Sequence, residues 1–304
     1  MNTDRIYRVL LMQMGAEQLV KDAPMQEYTS FKAGGKAALL VLPKNIVQLQ
    51  YTMSVIAEEK APYFIMGNGT NLLVKDGGYG GVIVKIGSSL SDIKVTDDRV
   101  EAEAGALLKN VAQAAMENSL TGFEFASGIP GSIGGAAFMN AGAYDGEMRQ
   151  VVETVKLLTM DGGEIYTLSA DEMEYGYRKS RLMEEQGIIL SVVLKLASGD
   201  KNQIASKMND LNARRKQKQP LDYPSAGSFF KRPPGNFAGT LIQEAGLKGV
   251  SVGGAMVSPL HAGFIINTGG ATAGDIIALM ELVQQRVYEY SGVRLEPEVR
   301  IIGE

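Results

Sequence analysis

A long segment with few large side chains, residues 122–146, constrains the fold of this chain more than any other feature. It reads GFEFASGIPGSIGGAAFMNAGAYDG, and seven of its 25 residues are glycine. Glycine makes up 36 of all 304 residues, about 12%, where about 7% is usual. These glycines have no fixed period, which excludes a collagen-like repeat, and 10 prolines are too few for a low-complexity chain. The glycine excess predicts tight turns or a backbone that closely approaches a ligand.

Residues 127–132 of this segment predict a loop that opens into a short helix over Ile133–Met139. Gly131, Gly134 and Gly135 leave no side chain between the backbone and a ligand. The start of a helix offers unpaired N–H groups and a partial positive charge, which suit a pyrophosphate. The alternative is a close-packed crossing of the helix with a strand.

A second glycine-rich turn, Gly67-Asn68-Gly69-Thr70-Asn71, directly follows a short apolar strand predicted at residues 63–66. Backbone N–H groups in such a turn can hold a phosphate, and the two asparagine amides can add hydrogen bonds. The turn is not the dinucleotide-binding fingerprint, because position 72 is leucine and no helical pattern follows. The alternative is a plain tight turn.

The basic residues are concentrated in one stretch of the chain. Residues 201–235 include eight basic and two acidic side chains, whereas the whole chain has a net charge of −4. This asymmetry is typical of a surface that attracts an anionic ligand, and a solvated helix face is the alternative. Because the composition changes near residue 200, we predict a break there between two parts of an α+β protein.

Composition excludes several kinds of chemistry. The chain has no cysteine, which excludes disulfides, thiol nucleophiles and cysteine-ligated metal sites. One histidine, His261, is too little for a structural zinc site, and we interpret it as a structural residue beside an apolar strand. No apolar run is long enough to span a membrane, the N-terminus lacks a signal-peptide core, and the acidic net charge argues against general nucleic-acid binding. We predict a cytoplasmic protein without a metal site.

Apolar periodicity predicts the principal helices and strands. Four helices are expected, over the first 20 residues, from Ile46 onward, after Ala104 and over residues 273–290. Two strands at residues 151–159 and 164–168 flank an Asp-Gly-Gly turn, which predicts a hairpin. Ser169 and Glu172 match the capping box that begins many helices.

Several motifs, taken together, resemble one family. The stretches are YTSFKAGGKA (28–37), IMGNGTNLLV (65–74), GIPGSIGGAAFMNAGAYDGE (128–147), YGYRKSRL (175–182), SAGSFFKRP (225–233), AGTLIQEAGLKG (238–249) and LEPEVRIIG (295–303). In this order they resemble the UDP-N-acetylenolpyruvoylglucosamine reductase family, the flavoenzymes of bacterial peptidoglycan precursor synthesis. They extend over nearly the whole chain.

The resemblance implies a fold with three parts. An FAD-binding region of the vanillyl-alcohol-oxidase-like (PCMH) type is expected at residues 1–199, with subdomains at 1–86 and 87–199. An α+β substrate-binding domain is expected at residues 200–304, with its C-terminal strand returning to the active site. Only 50 positions separate Arg178 from Ser228, which resembles the shorter class of the family, without a substrate lid.

The resemblance also implies a reaction in two halves, with FAD and NADPH as cofactors. NADPH reduces the flavin, which then passes a hydride to C3 of UDP-N-acetylglucosamine enolpyruvate, and protonation at C2 gives UDP-N-acetylmuramate. The implied partners are these small molecules, with no nucleic acid and no membrane, and a monomer is expected.

Three residues match the catalytic set of the family. Ser228 matches the proton donor to C2, and Arg178 and Glu298 match the pair that assists the enol-type intermediate. These types suit the chemistry, because a guanidinium can bind a carboxylate through two parallel hydrogen bonds and a serine keeps its proton at neutral pH. Glu298 could orient Ser228 or Arg178, orient a relay water, or stay protonated near the substrate carboxylate.

Further positions are carried over from the matching motifs. The expected cofactor-binding residues are Gly67, Asn68, Gly69, Thr70, Asn71, Ser127, Gly128, Pro130, Gly131, Ser132, Gly134, Gly135, Asn140, Gly142 and Ala143. The expected substrate-binding residues are Tyr177, Arg214, Lys218, Asn236, Glu244 and Lys248. Another FAD-dependent oxidoreductase of the same fold, or a nucleotide-binding regulator without turnover, remains an alternative reading.

Overall fold

Several of the predicted helices and strands form where the local sequence pattern places them. The computed structural model describes residues 3–304. Its helices are α1 (Thr3–Leu10), α2 (Ile46–Glu58), α3 (Leu108–Glu117), α4 (Ile133–Met139), α5 (Lys201–Lys218), α6 (Ala238–Glu244) and α7 (Ala273–Ser291). Its strands are β1 (Leu19–Pro24), β2 (Lys36–Val41), β3 (Tyr63–Met66), β4 (Leu72–Val74), β5 (Tyr79–Lys85), β6 (Ile93–Thr96), β7 (Arg99–Glu103), β8 (Leu120–Thr121), β9 (Gly142–Ala143), β10 (Gly146–Glu147), β11 (Val152–Leu158), β12 (Ile165–Ser169), β13 (Ile188–Lys195), β14 (Ala197–Ser198), β15 (Ser251–Val252), β16 (Ala255–Val257), β17 (Ile265–Asn267) and β18 (Arg300–Ile302).

Capping side chains set the ends of the longer helices. The side chain of Asn45 accepts a hydrogen bond of 2.9 Å from the Gln48 amide at the start of α2. Thr272 and Asp275 form a reciprocal capping box at the start of α7, which ends at Gly292 with φ +70°. Such caps satisfy backbone groups that a helix end leaves unpaired.

Two predicted helices are wrong in extent or in kind. The helix expected over the first 20 residues ends at Leu10, because the chain turns and Gly15 is extended before β1 joins a sheet. Glu172 and Ser169 make the predicted capping contacts, with the Ser169 amide 2.8 Å from a Glu172 carboxylate oxygen. No helix follows, because Glu174 has a left-handed φ of +48°.

The chain forms two compact units. Unit 1 comprises residues 1–21, 39–68 and 81–215, and unit 2 comprises residues 22–38, 69–80 and 216–304. Unit 1 contains an antiparallel five-stranded sheet of order β12-β11-β13-β7-β6, in which β11 and β12 are the predicted hairpin. Also in unit 1, β3 runs parallel to β5 with Met66 opposite Lys85. Helices α2, α3 and α4 bury apolar residues in the core of this unit.

Unit 2 draws on segments that are distant in sequence. Its three-stranded sheet has the order β15-β16-β17, and β4 pairs in parallel with β18, with Leu73 opposite Ile301. Phe31 packs in the same core as Phe229, with ring centroids 6.0 Å apart. These pairings bring residues 22–38 and 69–80 into unit 2, whereas the sequence analysis placed one break near residue 200. The functional division at residue 199 stays a prediction.

Residues 3–304 contain neither a membrane-spanning helix nor a cluster of metal-binding side chains. No helix in this range is long and apolar enough to cross a membrane. No group of three or more histidine, aspartate or glutamate side chains in the range is placed to hold a metal ion.

Candidate active site

The two glycine-rich segments meet at Gly67 and Ser132 in unit 1. β3 ends at Met66, and Gly67 begins the turn that follows. A Cβ atom on Gly67 would lie 2.5 Å from the Ser132 hydroxyl oxygen, so the backbone passes this hydroxyl only because residue 67 has no side chain. Gly69 has a φ of +68°, a conformation that glycine adopts at little cost.

The hydroxyl of Ser132 is buried and has no hydrogen-bond partner among the described residues. The residue is 3% exposed and is the N-cap of α4, yet its side chain makes no capping bond. A Cβ on Gly135 would lie 3.7 Å from the same oxygen, and Gly135 is exposed. We call Gly67, Ser132 and Gly135 the Ser132 cradle. An unpaired buried hydroxyl between glycines fits an acceptor-rich ligand such as a diphosphate.

The first two amides of α4 are bonded to other parts of the protein and are not available to an anion, which corrects part of the prediction made from the sequence. The Ile133 amide donates to the Ala106 carbonyl at 2.8 Å, and the Gly134 amide donates to the Ala104 carbonyl at 2.9 Å. A Cβ on Gly134 would lie 2.7 Å from the Cβ of Ala104. Gly134 therefore permits close packing of the helix on the residue after β7, which was the alternative reading.

Gly142, Ala143 and Gly128, which are also predicted cofactor residues, lie against other parts of the protein. A Cβ on Gly142 would lie 2.5 Å from the Gly146 carbonyl oxygen, and Ala143 pairs with Gly146 in the β9–β10 hairpin. A Cβ on Gly128 would contact the side chain of Asn212, which also lies 3.4 Å from the Ser127 hydroxyl. Gly131 has a φ of +136° and Pro130 is exposed at the same loop.

Arg178 sits in a strained turn of unit 1. Its φ is +52°, which costs about 1–2 kcal/mol for a residue with a side chain. Gly176 and Lys179 pair across this turn. The guanidinium donates to the Asn140 carbonyl at 3.4 Å and to the Gly142 carbonyl at 3.2 Å. Tyr177 is 52% exposed, with the Arg178 guanidinium 5.2 Å from its ring centroid.

Asn140, expected to bind the cofactor, instead turns its side chain into the protein. The residue is 0% exposed, so its amide offers no atom to a ligand in this conformation. Its Nδ2 atom donates to the Gly176 carbonyl at 2.8 Å and to the Glu147 carboxylate at 3.0 Å. Its Oδ1 atom accepts from the Arg149 amide at 2.9 Å.

Ser228 and Glu298 lie on adjacent extended segments of unit 2. The Glu298 amide donates a hydrogen bond of 2.8 Å to the carbonyl of Phe229, the residue after Ser228. On the other side, Ser228 pairs with Phe264, and the Phe229 amide donates 2.8 Å to the Gly263 carbonyl. Ser228 is exposed and Glu298 is half-buried. Two of the three predicted catalytic residues are thus brought together, and Arg178 belongs to unit 1.

Asn71, in the glycine-rich turn at residues 67–71, contacts the predicted catalytic glutamate within unit 2. Its Nδ2 atom donates to the Glu298 carbonyl at 3.1 Å, and its own carbonyl accepts from the Arg300 amide at 3.1 Å. Asn68 is exposed, whereas Thr70 and Asn71 are half-buried. The turn therefore has a structural connection to the C-terminal strand that the sequence analysis missed.

His261 supports the segment beside Ser228. Its Nδ1 atom accepts a hydrogen bond of 3.1 Å from the Gly263 amide, and its ring lies edge-on to Phe264 with centroids 4.9 Å apart. Burial lowers the pKa of His261, and the charge of Lys248 lowers the pKa further. The neutral ring suits the acceptor role of Nδ1, in agreement with a structural histidine.

The basic stretch places one arginine inside unit 1. Arg215 is 9% exposed, and its Nη1 atom donates a hydrogen bond of 2.5 Å to the Gly128 carbonyl. Burial lowers its pKa, and its Nε atom is buried without a partner among the described residues. Arg214 is exposed and forms a 2.8 Å ion pair with Asp210. From the sequence, Arg214, Arg215 and Lys218 are all candidates for a contact with nucleotide phosphates, and of these Arg215 is the buried one.

The remaining predicted substrate-binding residues are exposed in unit 2. They are Lys218, Asn236, Glu244 and Lys248. The Asn236 amide makes a local hydrogen bond of 3.3 Å to the Pro234 carbonyl. Exposure keeps these side chains accessible to a ligand, and their roles stay predictions.

Comparison with known proteins identifies the family. A profile of an FAD-binding domain matches residues 37–169, and a profile of the C-terminal domain of UDP-N-acetylenolpyruvoylglucosamine reductase matches residues 219–302. A Clostridium botulinum protein named UDP-N-acetylenolpyruvoylglucosamine reductase is 49% identical over 302 residues, 98% of each chain. The chain belongs to the UDP-N-acetylenolpyruvoylglucosamine reductase family. A Clostridium perfringens member is 50% identical over 297 residues, 98% of this chain and 97% of that protein.

Solved structures agree with membership of the reductase family. The Thermus caldophilus UDP-N-acetylenolpyruvylglucosamine reductase has a TM-score of 0.78 at 36% identity, covering 93% of this chain and 97% of that chain. A glucose dehydrogenase, Phl p 4.0202, has a TM-score of 0.51 at 14% identity over 65% of this chain and 44% of its own, which shows the fold alone. The predicted FAD-binding region followed by a separate C-terminal domain is confirmed.

Proposed function

We propose that this protein reduces UDP-N-acetylglucosamine enolpyruvate to UDP-N-acetylmuramate with NADPH, in peptidoglycan precursor synthesis. The observation that carries the proposal is the 49% identity to a named reductase over 98% of both chains. The exposed residue Ser228 beside the Glu298 segment adds support, because the second half of this reaction requires a proton donor that the substrate can reach.

The Ser132 cradle has the chemistry to hold part of FAD. Its hydroxyl can donate to a diphosphate oxygen, and the glycines at 67 and 135 leave the backbone open to a ligand. When bound, FAD accepts a hydride from NADPH and supplies it to C3 of the enolpyruvyl group. The described residues around the cradle contribute binding and orientation.

Ser228 donates the proton to C2 in this proposal. Gly227, with φ +78°, precedes it, and backbone bonds on both flanks hold the segment in place. A neutral hydroxyl retains its proton throughout the physiological pH range. The enolate formed beside the substrate carboxylate is basic enough to take it.

Arg178 binds the substrate carboxylate and the negative charge that develops on it. Its present hydrogen bonds to two backbone carbonyls, at 3.2 and 3.4 Å, are longer than those a guanidinium makes with a carboxylate. In this proposal Arg178 exchanges these two contacts for a bidentate contact with the substrate carboxylate. The family resemblance is what joins Arg178 to the Ser228 and Glu298 pair.

Hydrogen bonds hold both backbone groups of Glu298 in place. We assign it to the protonation step, where it orients Ser228 or a relay water, or stays protonated near the substrate carboxylate. The exposed cations at Arg214, Lys218 and Lys248 are assigned to the anionic groups of the nucleotides. Because both nucleotides are intracellular, this function places the protein in the cytoplasm.

Anaerobic spectroscopy of the purified protein tests the proposal. The protein is expected to be yellow, to bleach with NADPH and to regain its colour with UDP-N-acetylglucosamine enolpyruvate in the absence of oxygen. Recovery with oxygen but not with the enolpyruvyl substrate would indicate a different oxidoreductase. A protein that stays colourless after refolding with FAD would indicate a nucleotide-binding regulator.

A further inference from the structure

Two side-chain hydrogen bonds join the C-terminal end of α4 to the turn that carries Arg178. The Nδ2 atom of Asn140 donates to the Gly176 carbonyl at 2.8 Å. The hydroxyl of Ser180 donates to the Phe138 carbonyl at 2.5 Å. One bond acts two residues before Arg178 and the other two residues after it. All of these residues belong to unit 1.

Asn140 has only one satisfactory orientation for its side chain. Its amide oxygen accepts from Arg149, and its amide nitrogen donates to both Glu147 and Gly176, so every polar atom is paired. Its backbone is left-handed, with φ +48°, which asparagine tolerates better than most residues. A fully satisfied and fully buried amide holds a fixed geometry.

Arg178 itself also contacts Asn140. Its guanidinium donates to the backbone carbonyl of Asn140, whose side chain holds the turn before Arg178. Arg178 is itself left-handed, and a strained residue of this kind persists only where its surroundings hold it. Ser180 is 0% exposed and provides the second attachment.

We propose that Asn140 is a positioning residue for Arg178, with Ser180 as a second tether. Together they hold the turn at residues 176–179 in the conformation that sets the direction of the guanidinium. The inference rests on the proposed role of Arg178 in the reduction of the enolpyruvyl substrate.

A double-mutant cycle with Asn140→Gly and Arg178→Ala tests this proposal. Glycine tolerates the left-handed backbone and removes the whole side chain, including the amide that makes the hydrogen bonds. Each variant, loaded with FAD, is mixed rapidly with NADPH and then, without oxygen, with the enolpyruvyl substrate. Asn140→Gly is expected to keep flavin content and NADPH reduction within about threefold and to slow re-oxidation about 10- to 100-fold.

The double variant separates positioning from a general loss of structure. Because Asn140 acts through Arg178, Asn140→Gly in the Arg178→Ala background is expected to change re-oxidation by less than about twofold. Losses that multiply in the double variant, or normal re-oxidation of Asn140→Gly, would overturn the proposal. Normal re-oxidation of Arg178→Ala would instead remove the role assigned to Arg178, which is a failure of the proposed function.

A matched control and a second variant complete the experiment. Asn118→Gly makes the same change at the C-cap of α3, where the exposed side chain bonds only to Ala114 of its own helix, and is expected to leave both half-reactions unchanged. If Asn140→Gly does not fold, Ser180→Ala replaces it in the same cycle. It removes one hydroxyl and leaves both backbone segments intact.

Discussion

The amide of Glu298 donates a hydrogen bond of 2.8 Å to the carbonyl of Phe229, and so lies against the residue that follows Ser228. The carbonyl of Glu298 accepts in turn from the side chain of Asn71 at 3.1 Å. Both backbone groups of a predicted catalytic residue are therefore fixed, one by the segment that contains Ser228 and one by Asn71 of the glycine-rich turn at residues 67–71.

We expect Asn71→Ala to weaken this arrangement in the apoprotein. Loss of one partly buried hydrogen bond is expected to lower the free energy of unfolding by about 1 kcal/mol. Urea unfolding without flavin measures this directly. Asn68→Ala is the control, because Asn68 is an exposed asparagine of the same turn. Equal unfolding midpoints for the Asn71 and Asn68 variants would show that the bond to Glu298 contributes nothing.

Gly67→Ala is expected to impair flavin binding. Its Cβ would lie 2.5 Å from the Ser132 hydroxyl oxygen, so the loop or the serine must shift. Overpacking of this kind costs about 1–3 kcal/mol, and where that strain opposes FAD binding it corresponds to a loss in affinity of about 5- to 150-fold. Titration of apoprotein with FAD checks the result. Gly87→Ala should bind normally, because nothing lies within 4 Å of its Cβ; equal affinities of the two variants would rule out the Ser132 cradle.

Alanine substitutions of Arg214 and Arg215 are expected to have different effects on stability and on nucleotide binding. Arg215→Ala leaves the Gly128 carbonyl without its buried partner and is expected to lower the free energy of unfolding by about 2–3 kcal/mol. Arg214→Ala removes an exposed ion pair and should change stability by less than about 1 kcal/mol. If Arg214 binds the substrate diphosphate, its variant loses nucleotide affinity about tenfold. Calorimetric titration showing unchanged affinity would remove Arg214 from the site.

The stability of the protein is expected to depend on His261 at mildly acidic pH. Burial lowers the pKa of His261 in the folded state below its ordinary value of 6.5. The contribution is present above pH 6.5 and is lost as pH falls through the folded pKa, because only the unfolded chain then binds the proton. His261→Asn keeps an acceptor for the Gly263 amide and does not titrate.

Urea unfolding of both proteins at pH 7 and pH 5 therefore measures the histidine alone, since other groups cancel in the comparison. The variant should lose less stability than the parent between these pH values. An identical loss in both proteins would contradict the assigned pKa shift.

Local patterns were enough to predict some parts of the site. β3 and α4 have the predicted bounds, because an apolar run before glycines and a small-residue segment after a turn determine their own conformation. The packing role of Gly134 was left as an alternative, because it depends on Ala104, which is 30 positions away.

The contact between the Ser228 and Glu298 segments and the burial of Arg215 differ in how far the sequence alone could predict them. The contact between Ser228 and Glu298 segments could not be predicted from spacing, since isolated bridges across 70 positions leave no periodic signal. The inward position of Arg215, in contrast, has a periodic signal in the sequence. The buried residues of α5 are Ile204, Met208, Leu211 and Arg215, at spacings of four, three and four. This apolar stripe predicts that position 215 is inward, and the run of basic residues around it obscured the signal.

The Ser228→Ala variant tests the central claim most directly, in anaerobic stopped-flow measurements of the two half-reactions. Reduction of bound flavin by NADPH is expected to stay within about twofold of the parent protein. Re-oxidation by the enolpyruvyl substrate is expected to slow about 10²- to 10⁴-fold, the range that loss of a general acid produces. Equal losses in both half-reactions, or an unchanged rate of re-oxidation, would contradict the assignment of Ser228 as the proton donor.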